Sequence, residues 1–208
     1  MIPFLDVEAS YSELKDEINA AVARVFASGN YILGEEVAAF ELEFAAYVGA
    51  SHCVGVGNGL DALTLAFRAI EIGPGDEVIV PSNTYIATWL AVSACGATPV
   101  PVEPNPVTHC LDPNNVSAAI TERTRALCPV HLYGHPADMV KLKDICAQHK
   151  LRIVEDAAQA HGARIGERRI GADGDVVAWS FYPGKNFGAI GDGGAVSTND
   201  PEIAKRIT

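Results

Sequence analysis

The sequence predicts an α/β fold of three layers, α/β/α, in which helices cover both faces of a mostly parallel central sheet. Short apolar runs rich in β-branched residues alternate with longer segments whose apolar residues recur at helical spacing. This alternation is typical of βαβ units, whose consecutive strands are parallel. The strand runs are apolar throughout, which indicates a sheet buried on both faces.

The predicted elements follow one another along the whole chain. Helices are predicted at residues 36–48, 60–70, 86–95 and 138–149, and another is opened by Asp112-Pro113. Strands are predicted at residues 52–56, 78–80, 98–102, 126–132, 151–154, 176–181 and 194–197. Asp200-Pro201 combines an N-cap residue with proline at the first helical position, so a last helix is expected to begin there. Ligands bind at the carboxyl ends of strands in such sheets, which is where we look for a site.

Composition narrows the class of protein. The chain has 208 residues, 49% of them hydrophobic and 20% charged, as in one soluble globular domain. A net charge of -11 argues against a nucleic-acid partner, because phosphate contacts need clustered Lys and Arg. We find no signal peptide and no apolar run that would span a bilayer, so no membrane association is expected. Five cysteines without CxxC pairing favour free thiols and a cytoplasmic location.

The segment 180–194 carries the most informative residues. Ser180 ends a predicted strand, and Lys185 follows among aromatic residues and glycines. A lysine shielded from water can act as an amine nucleophile, and glycines let the backbone approach a flat ligand closely. Taken alone, the segment equally fits a solvated lysine on a glycine-rich hairpin.

A second candidate segment is Ile153–Gln159. Asp156 ends a buried strand, where a carboxylate could keep a pyridine nitrogen protonated. Gln159, placed one helical turn later, could reach the same ligand. The alternative is that Asp156 is simply a helix N-cap.

Two further segments follow predicted strands. In the glycine-rich turn 55–63, the N–H groups of Asn58, Gly59 and Leu60 could bind phosphate at the start of a helix. A tight turn without a ligand explains the same residues. In the segment 81–89, Tyr85 or Trp89 could stack on an aromatic cofactor, although a core position is the commoner explanation for either ring.

His131 and His135 lie four residues apart, a spacing that on a helix would suggest metal ligands. Gly134 and Pro136 disfavour that helix. We interpret both residues as loop histidines beside the site and expect no metal.

The four candidate segments occur together and in this order, and in that combination the chain resembles the sugar aminotransferases of the DegT/DnrJ/EryC1/StrS family, which have the fold of type I pyridoxal-phosphate enzymes. The stretches VEDAAQAHGA around Asp156 and PGKNFGAIGDGGA around Lys185 carry the resemblance, which begins at Pro3 and extends to the last helix. The segment 83–92 looks most like the branch that aminates C3 of dTDP-3-keto-6-deoxyhexoses.

The resemblance implies a role for each matching position. Lys185 would form a Schiff base with pyridoxal 5′-phosphate and move the proton during transamination, and Asp156 would pair with the pyridinium nitrogen. Gln159 would contact the phenolic oxygen of the cofactor. The phosphate would be held by Ser180 and by the backbone of Asn58, Gly59 and Leu60, and the stacking residue would be Tyr85, with Trp89 as second choice. Family members use a nucleotide-sugar and L-glutamate as substrates and work as homodimers.

Family members continue beyond position 208 through a smaller C-terminal domain, so we expect residues 1–208 to be the cofactor-binding large domain of a truncated chain. A fragment of this kind could bind cofactor without turnover. Among other reactions on this fold, the related sugar dehydratases have histidine at the position of Lys185. A nicotinamide-dependent oxidoreductase is disfavoured because Leu60 replaces the third glycine of its fingerprint. A non-catalytic binding module would have no need of Lys185.

Overall fold

A computed structural model describes residues 4–208, so Pro3, where the family resemblance begins, lies outside the described residues. The helices are α1 (Val7–Glu13), α2 (Lys15–Ser28), α3 (Glu35–Val48), α4 (Gly59–Ala69), α5 (Ile86–Ala94), α6 (Pro113–Ala119), α7 (Met139–His149) and α8 (Pro201–Ile207). The strands are β1 (His52–Val56), β2 (Glu77–Pro81), β3 (Thr98–Val102), β4 (Thr124–Leu127), β5 (Arg152–Asp156), β6 (Arg164–Ile165), β7 (Arg168–Arg169), β8 (Val176–Ser180) and β9 (Gly194–Thr198).

Seven strands form the central sheet in the order β3-β2-β4-β5-β8-β9-β1. The five strands from β3 to β8 are parallel to their neighbours, whereas β9 is antiparallel to both β8 and β1. Helix α4 carries the chain from β1 at one edge to β2 near the other and packs across β8, β9 and β5 on the way. The predicted α/β fold with a mostly parallel sheet is therefore confirmed.

Helices cover both faces of the sheet because its strands carry apolar side chains on both. In β2, Val78 and Val80 pack in the cluster that includes α4, α5 and α8, whereas Ile79 packs with α6 and α7. Successive strand residues point to opposite faces, so an apolar run has to be covered twice. Near β8 and β9 the second face is completed by α3, where Phe44 packs against Trp179.

Two features differ from the sequence prediction. The apolar run 126–132 is not one strand, because β4 ends at Leu127 and Pro129 has no N–H to donate to the ladder. Only an isolated bridge between Val130 and Asp156 continues it. Helices α1 and α2 were not expected. Neither has a buried residue, which explains why the pattern of a core-facing helix is missing there.

Side-chain chemistry across the described residues agrees with the expected thiols. All five cysteines are free, and burial raises the pKa of Cys53 and of Cys146 to about 12. Within residues 4–208, no helix combines the length and apolar character needed to cross a bilayer.

Candidate active site

A cavity of about 550 Å³ opens where several parallel strands end. Strands β2, β5 and β8 end at Pro81, Asp156 and Ser180, and the loops that follow them enclose the cavity together with the start of α4. Of the residues predicted from sequence, the cavity brings together Asn58, Gly59, Leu60, Tyr85, Asp156, Gln159, Ser180 and Lys185. Trp89 is absent from this lining.

The start of α4 forms one end of the cavity. Asn58 is the N-cap, and its side-chain oxygen accepts a hydrogen bond of 2.9 Å from the N–H of Asp61. The first N–H groups of a helix have no acceptor within the helix, so those of Gly59 and Leu60 are available to an anion. Ser180, which is buried, lies directly against Gly59. A hydroxyl and two helix N–H groups therefore converge on one place, as a phosphate requires.

Asp156 forms the floor of the cavity and is 6% exposed. Its Oδ2 accepts from the hydroxyl of Thr88 at 2.8 Å, and its Oδ1 accepts from the N–H of Ala158 at 3.1 Å. Burial raises the pKa of Asp156, while the two hydrogen bonds and the positive charge of Lys185 act against that rise. A buried carboxylate without a protein counter-ion in contact is suited to a cationic ligand group.

Gln159 lines the cavity, but it does not lie one helical turn after Asp156 as the sequence suggested. Residues 157–163 form turns, so the N-cap alternative for Asp156 is also wrong. The carboxamide oxygen of Gln159 accepts from the N–H of Tyr133 at 2.7 Å. Its amide NH₂ is therefore the part of the side chain left to donate to a ligand.

A buried histidine supports the loop that holds Gln159. Nδ1 of His131 accepts from the N–H of Ala137 at 3.0 Å, so Nε2 carries the hydrogen and donates to Glu155 at 2.8 Å. Both His131 and Glu155 are fully buried. Gly134, with φ of +80°, prevents the helix that a histidine pair would need, and no metal-binding group of three or more His, Cys, Asp or Glu occurs in residues 4–208.

Lys185 lies in the loop between β8 and β9 and is half-buried. The loop is braced by His161, which is hydrogen-bonded through Nδ1 to Oδ1 of Asn186 at 2.9 Å. Burial lowers the pKa of His161, so a neutral imidazole is favoured beside the lysine. Lys185 also lines a second, more open cavity of about 650 Å³ together with Gln159 and His161. Its amine can therefore be approached from two sides.

The two aromatic candidates have separate positions. Tyr85 is the residue before α5, is 72% exposed and lines the cavity. Trp89 packs against the apolar core, and its indole N–H donates to the carbonyl of Pro81 at 3.2 Å. Only Tyr85 is placed to cover a ligand ring, and we do not carry Trp89 further as a stacking residue.

Thr88 is a site residue that the sequence reasoning missed. It is fully buried, and its hydroxyl contacts both Asp156 and the hydroxyl of Thr84, which lines the cavity. The available signal was the spacing of Thr84 and Thr88, four residues apart after a strand and hence on one side of the following helix turn.

Known proteins share this arrangement over the whole chain. The model of the DegT/DnrJ/EryC1/StrS aminotransferase family matches residues 12–208. A "dTDP-3-amino-3,4,6-trideoxy-alpha-D-glucose transaminase" from Streptomyces venezuelae is 65% identical over 206 residues, which cover 99% of this chain and 54% of that protein. The "Erythromycin biosynthesis sensory transduction protein EryC1" from Saccharopolyspora erythraea is 59% identical and is covered to 56%.

Among solved structures, that of S. venezuelae DesV in complex with a ketimine intermediate has a TM-score of 0.97 at 65% identity and covers 99% of this chain and 56% of the other. The chain thus spans about half the length of the curated relatives it matches. With a family model that matches nearly every residue, the protein belongs to the DegT/DnrJ/EryC1/StrS aminotransferase family.

Proposed function

We propose that the protein is a pyridoxal-phosphate-dependent aminotransferase that transfers an amino group from L-glutamate to a nucleotide-linked keto-sugar. One observation carries the proposal. A single cavity places an amine, Lys185, a buried carboxylate, Asp156, and an anion-binding helix start at Gly59 around one ligand-sized space. Each of these groups is ordinary alone, but their combination suits a ligand with a carbonyl, a basic ring nitrogen and a phosphate.

Pyridoxal 5′-phosphate fits these groups end to end. The N–H groups of Gly59 and Leu60 and the hydroxyl of Ser180 would hold its phosphate. Asp156 would pair with the ring nitrogen, and the free NH₂ of Gln159 would donate to the phenolic oxygen. Tyr85 would cover the ring.

When bound, the cofactor supplies an electron-poor ring that stabilises negative charge on the carbon next to the transferred nitrogen. Lys185 holds the cofactor covalently until the donor displaces it. Its free amine then takes the proton from the donor carbon and returns one to the sugar carbon in the second half of the reaction. Asp156 keeps the ring nitrogen protonated throughout.

The substrate that we propose is a dTDP-3-keto-6-deoxyhexose, aminated at C3. The support is the resemblance of residues 83–92 to that branch and the 3-amino sugar in the name of the S. venezuelae relative. We further propose that the whole protein acts as a homodimer in the cytoplasm, as its family resemblance implies.

The first experiment is an absorbance spectrum of the protein with added pyridoxal phosphate, followed by borohydride reduction and peptide mapping. We expect a visible band that borohydride removes, with the label on the peptide that contains Lys185. Lys185→Ala should lose both, whereas Lys205→Ala, which changes an exposed lysine on α8, should keep both. A label on a different lysine, or turnover that survives Lys185→Ala, would contradict the assignment.

A second function is raised by the name of EryC1, a sensory transduction protein. A binding module of this kind would hold the cofactor and turn nothing over. Addition of L-glutamate to the loaded protein separates the two functions, because only an aminotransferase releases 2-oxoglutarate in amounts equal to the bound cofactor. A dehydratase of the same fold would instead act on the sugar without consuming glutamate.

A further inference from the structure

A chain of three side chains leads from the wall of the cavity to the buried carboxylate. The hydroxyl oxygens of Thr84 and Thr88 are 2.9 Å apart, and that of Thr88 is 2.8 Å from Oδ2 of Asp156. Thr84 is half-buried and lines the cavity, whereas Thr88 is fully buried. The contact joins the first turn of α5 to the end of β5, so two elements that are distant in sequence hold one carboxylate.

The direction of each hydrogen bond follows from the groups involved. An ionised carboxylate can only accept, so the single hydrogen of the Thr88 hydroxyl points to Asp156. The oxygen of Thr88 is then left as an acceptor, and the hydrogen between the two threonines has to come from Thr84. Both hydroxyls therefore point toward Asp156 as long as it carries its charge.

Asp156 needs such support because its other surroundings do not favour ionisation. Burial raises the pKa of Asp156, and the hydrogen bond from Thr88 is the largest effect in the opposite direction. The groups that also face it are the N–H of Ala158, the charged Lys185, and the buried side chains of His131 and Cys128. None of the protein cations contacts the carboxylate oxygens within the described residues, so Thr88 is its one side-chain hydrogen-bond donor there.

We propose that Thr88 is a positioning residue, which keeps Asp156 ionised and orients its carboxylate toward the ring nitrogen of the cofactor, with Thr84 setting the direction of the hydrogen bonds. The inference rests on the proposed function. It assigns a role to two residues at the end of β2, on the side of the cavity opposite Lys185 in sequence. The role concerns the charge of Asp156 and not the shape of the cavity, which makes it separable from a structural one.

The test compares wild type with Thr88→Val, which keeps the shape of the side chain and removes the hydroxyl, and with Thr88→Ser, which restores it. Pyridoxal 5′-phosphate labelled with ¹⁵N in the ring reports by NMR whether its nitrogen is protonated when bound at pH 7. We expect a protonated nitrogen in wild type and Thr88→Ser. In Thr88→Val we expect the signal to move toward that of the neutral ring.

Binding measurements give a second readout. The dissociation constant for pyridoxal 5′-phosphate should rise about tenfold in Thr88→Val, the order of effect expected when a charged group loses a hydrogen bond. The 1-deaza analogue, in which carbon replaces the ring nitrogen, should bind wild type and Thr88→Val equally. A smaller change in the same direction is expected for Thr84→Val, which serves as the second variant if Thr88→Val fails to fold.

Three outcomes would overturn the proposal. A protonated ring nitrogen in Thr88→Val, or in Thr84→Val if that variant takes its place, would show that the hydroxyl is not needed for the charge of Asp156. Equal weakening for the cofactor and its 1-deaza analogue would indicate a structural role only. If wild type itself bound no pyridoxal phosphate, the proposed function would fail, and the role of Thr88 with it.

Discussion

Gly59 and Ser180 approach so closely that a Cβ atom on Gly59 would lie 2.6 Å from the Cβ atom of Ser180. No real side chain fits at that distance, so α4 can begin against the end of β8 only because residue 59 is glycine. The contact places the N–H groups at the helix start beside the hydroxyl of Ser180.

The first prediction concerns Gly59→Ala. Because the added methyl group overlaps Ser180, the free energy of unfolding should fall by roughly 1–3 kcal/mol. The displaced helix start should weaken binding of pyridoxal 5′-phosphate more than that of pyridoxal, which lacks the phosphate. Denaturant unfolding and two dissociation constants measure these effects. Gly73→Ala is the matched control, since a Cβ there meets no atom within 4 Å. Equal weakening for both ligands would argue against a phosphate site here.

The second prediction concerns Asp156→Asn and pH. Burial raises the pKa of Asp156, so folding favours its protonated form. That contribution to stability is present below the ordinary pKa of an aspartate and is lost as the pH rises through the raised value. Asn stays neutral. We therefore expect cofactor-free Asp156→Asn to be more stable than wild type at pH 7, with a smaller difference at pH 3.5.

Urea unfolding at the two pH values measures this difference, and the same variant should bind pyridoxal 5′-phosphate more weakly because the ring nitrogen loses its anion. A stability difference that does not change with pH would show that the charge of Asp156 has no part in it.

The third prediction separates Tyr85 from Trp89. Tyr85 is largely exposed, so Tyr85→Ala should change the free energy of unfolding by no more than about 0.5 kcal/mol. It should weaken cofactor binding several-fold, to about tenfold, through loss of ring stacking. Trp89 is half-buried against the core, so Trp89→Ala should cost about 2 kcal/mol of stability. The reverse pattern, with binding lost mainly in Trp89→Ala at unchanged stability, would favour the aromatic residue that the cavity excludes.

The fourth prediction concerns the buried pair of His131 and Glu155. Removal of the imidazole leaves the carboxylate of Glu155 buried without that partner, so His131→Ala should lower the free energy of unfolding by about 3 kcal/mol. His149→Ala, on the exposed last turn of α7, is the control and should have little effect. Unfolding curves for the two variants that coincide would contradict a supporting role for the pair.

Several features could be predicted from the sequence because they depend on neighbours a few residues away. Asp200 caps α8 as expected, accepting from the N–H of Glu202 at 2.8 Å. The apolar runs became buried strands, since the pleat and the helical repeat are local geometry. Lys185 and Asp156 were found in the same way, because each lies within a short segment of recognisable composition at the end of a strand.

Other features were decided only when the chain folded. Thr88 and Asp156 are 68 residues apart in sequence, and nothing local to either indicates that they share a hydrogen bond. Trp89 turned to the core and Tyr85 to the cavity, although both precede or open the same helix. Gln159 reached the cavity through a turn held by Tyr133 and not through a helix. The sequence determined which groups are present and which strands deliver them. Only tertiary packing decided their orientation, because a side chain turns toward whichever distant element satisfies its polar atoms or covers its apolar surface.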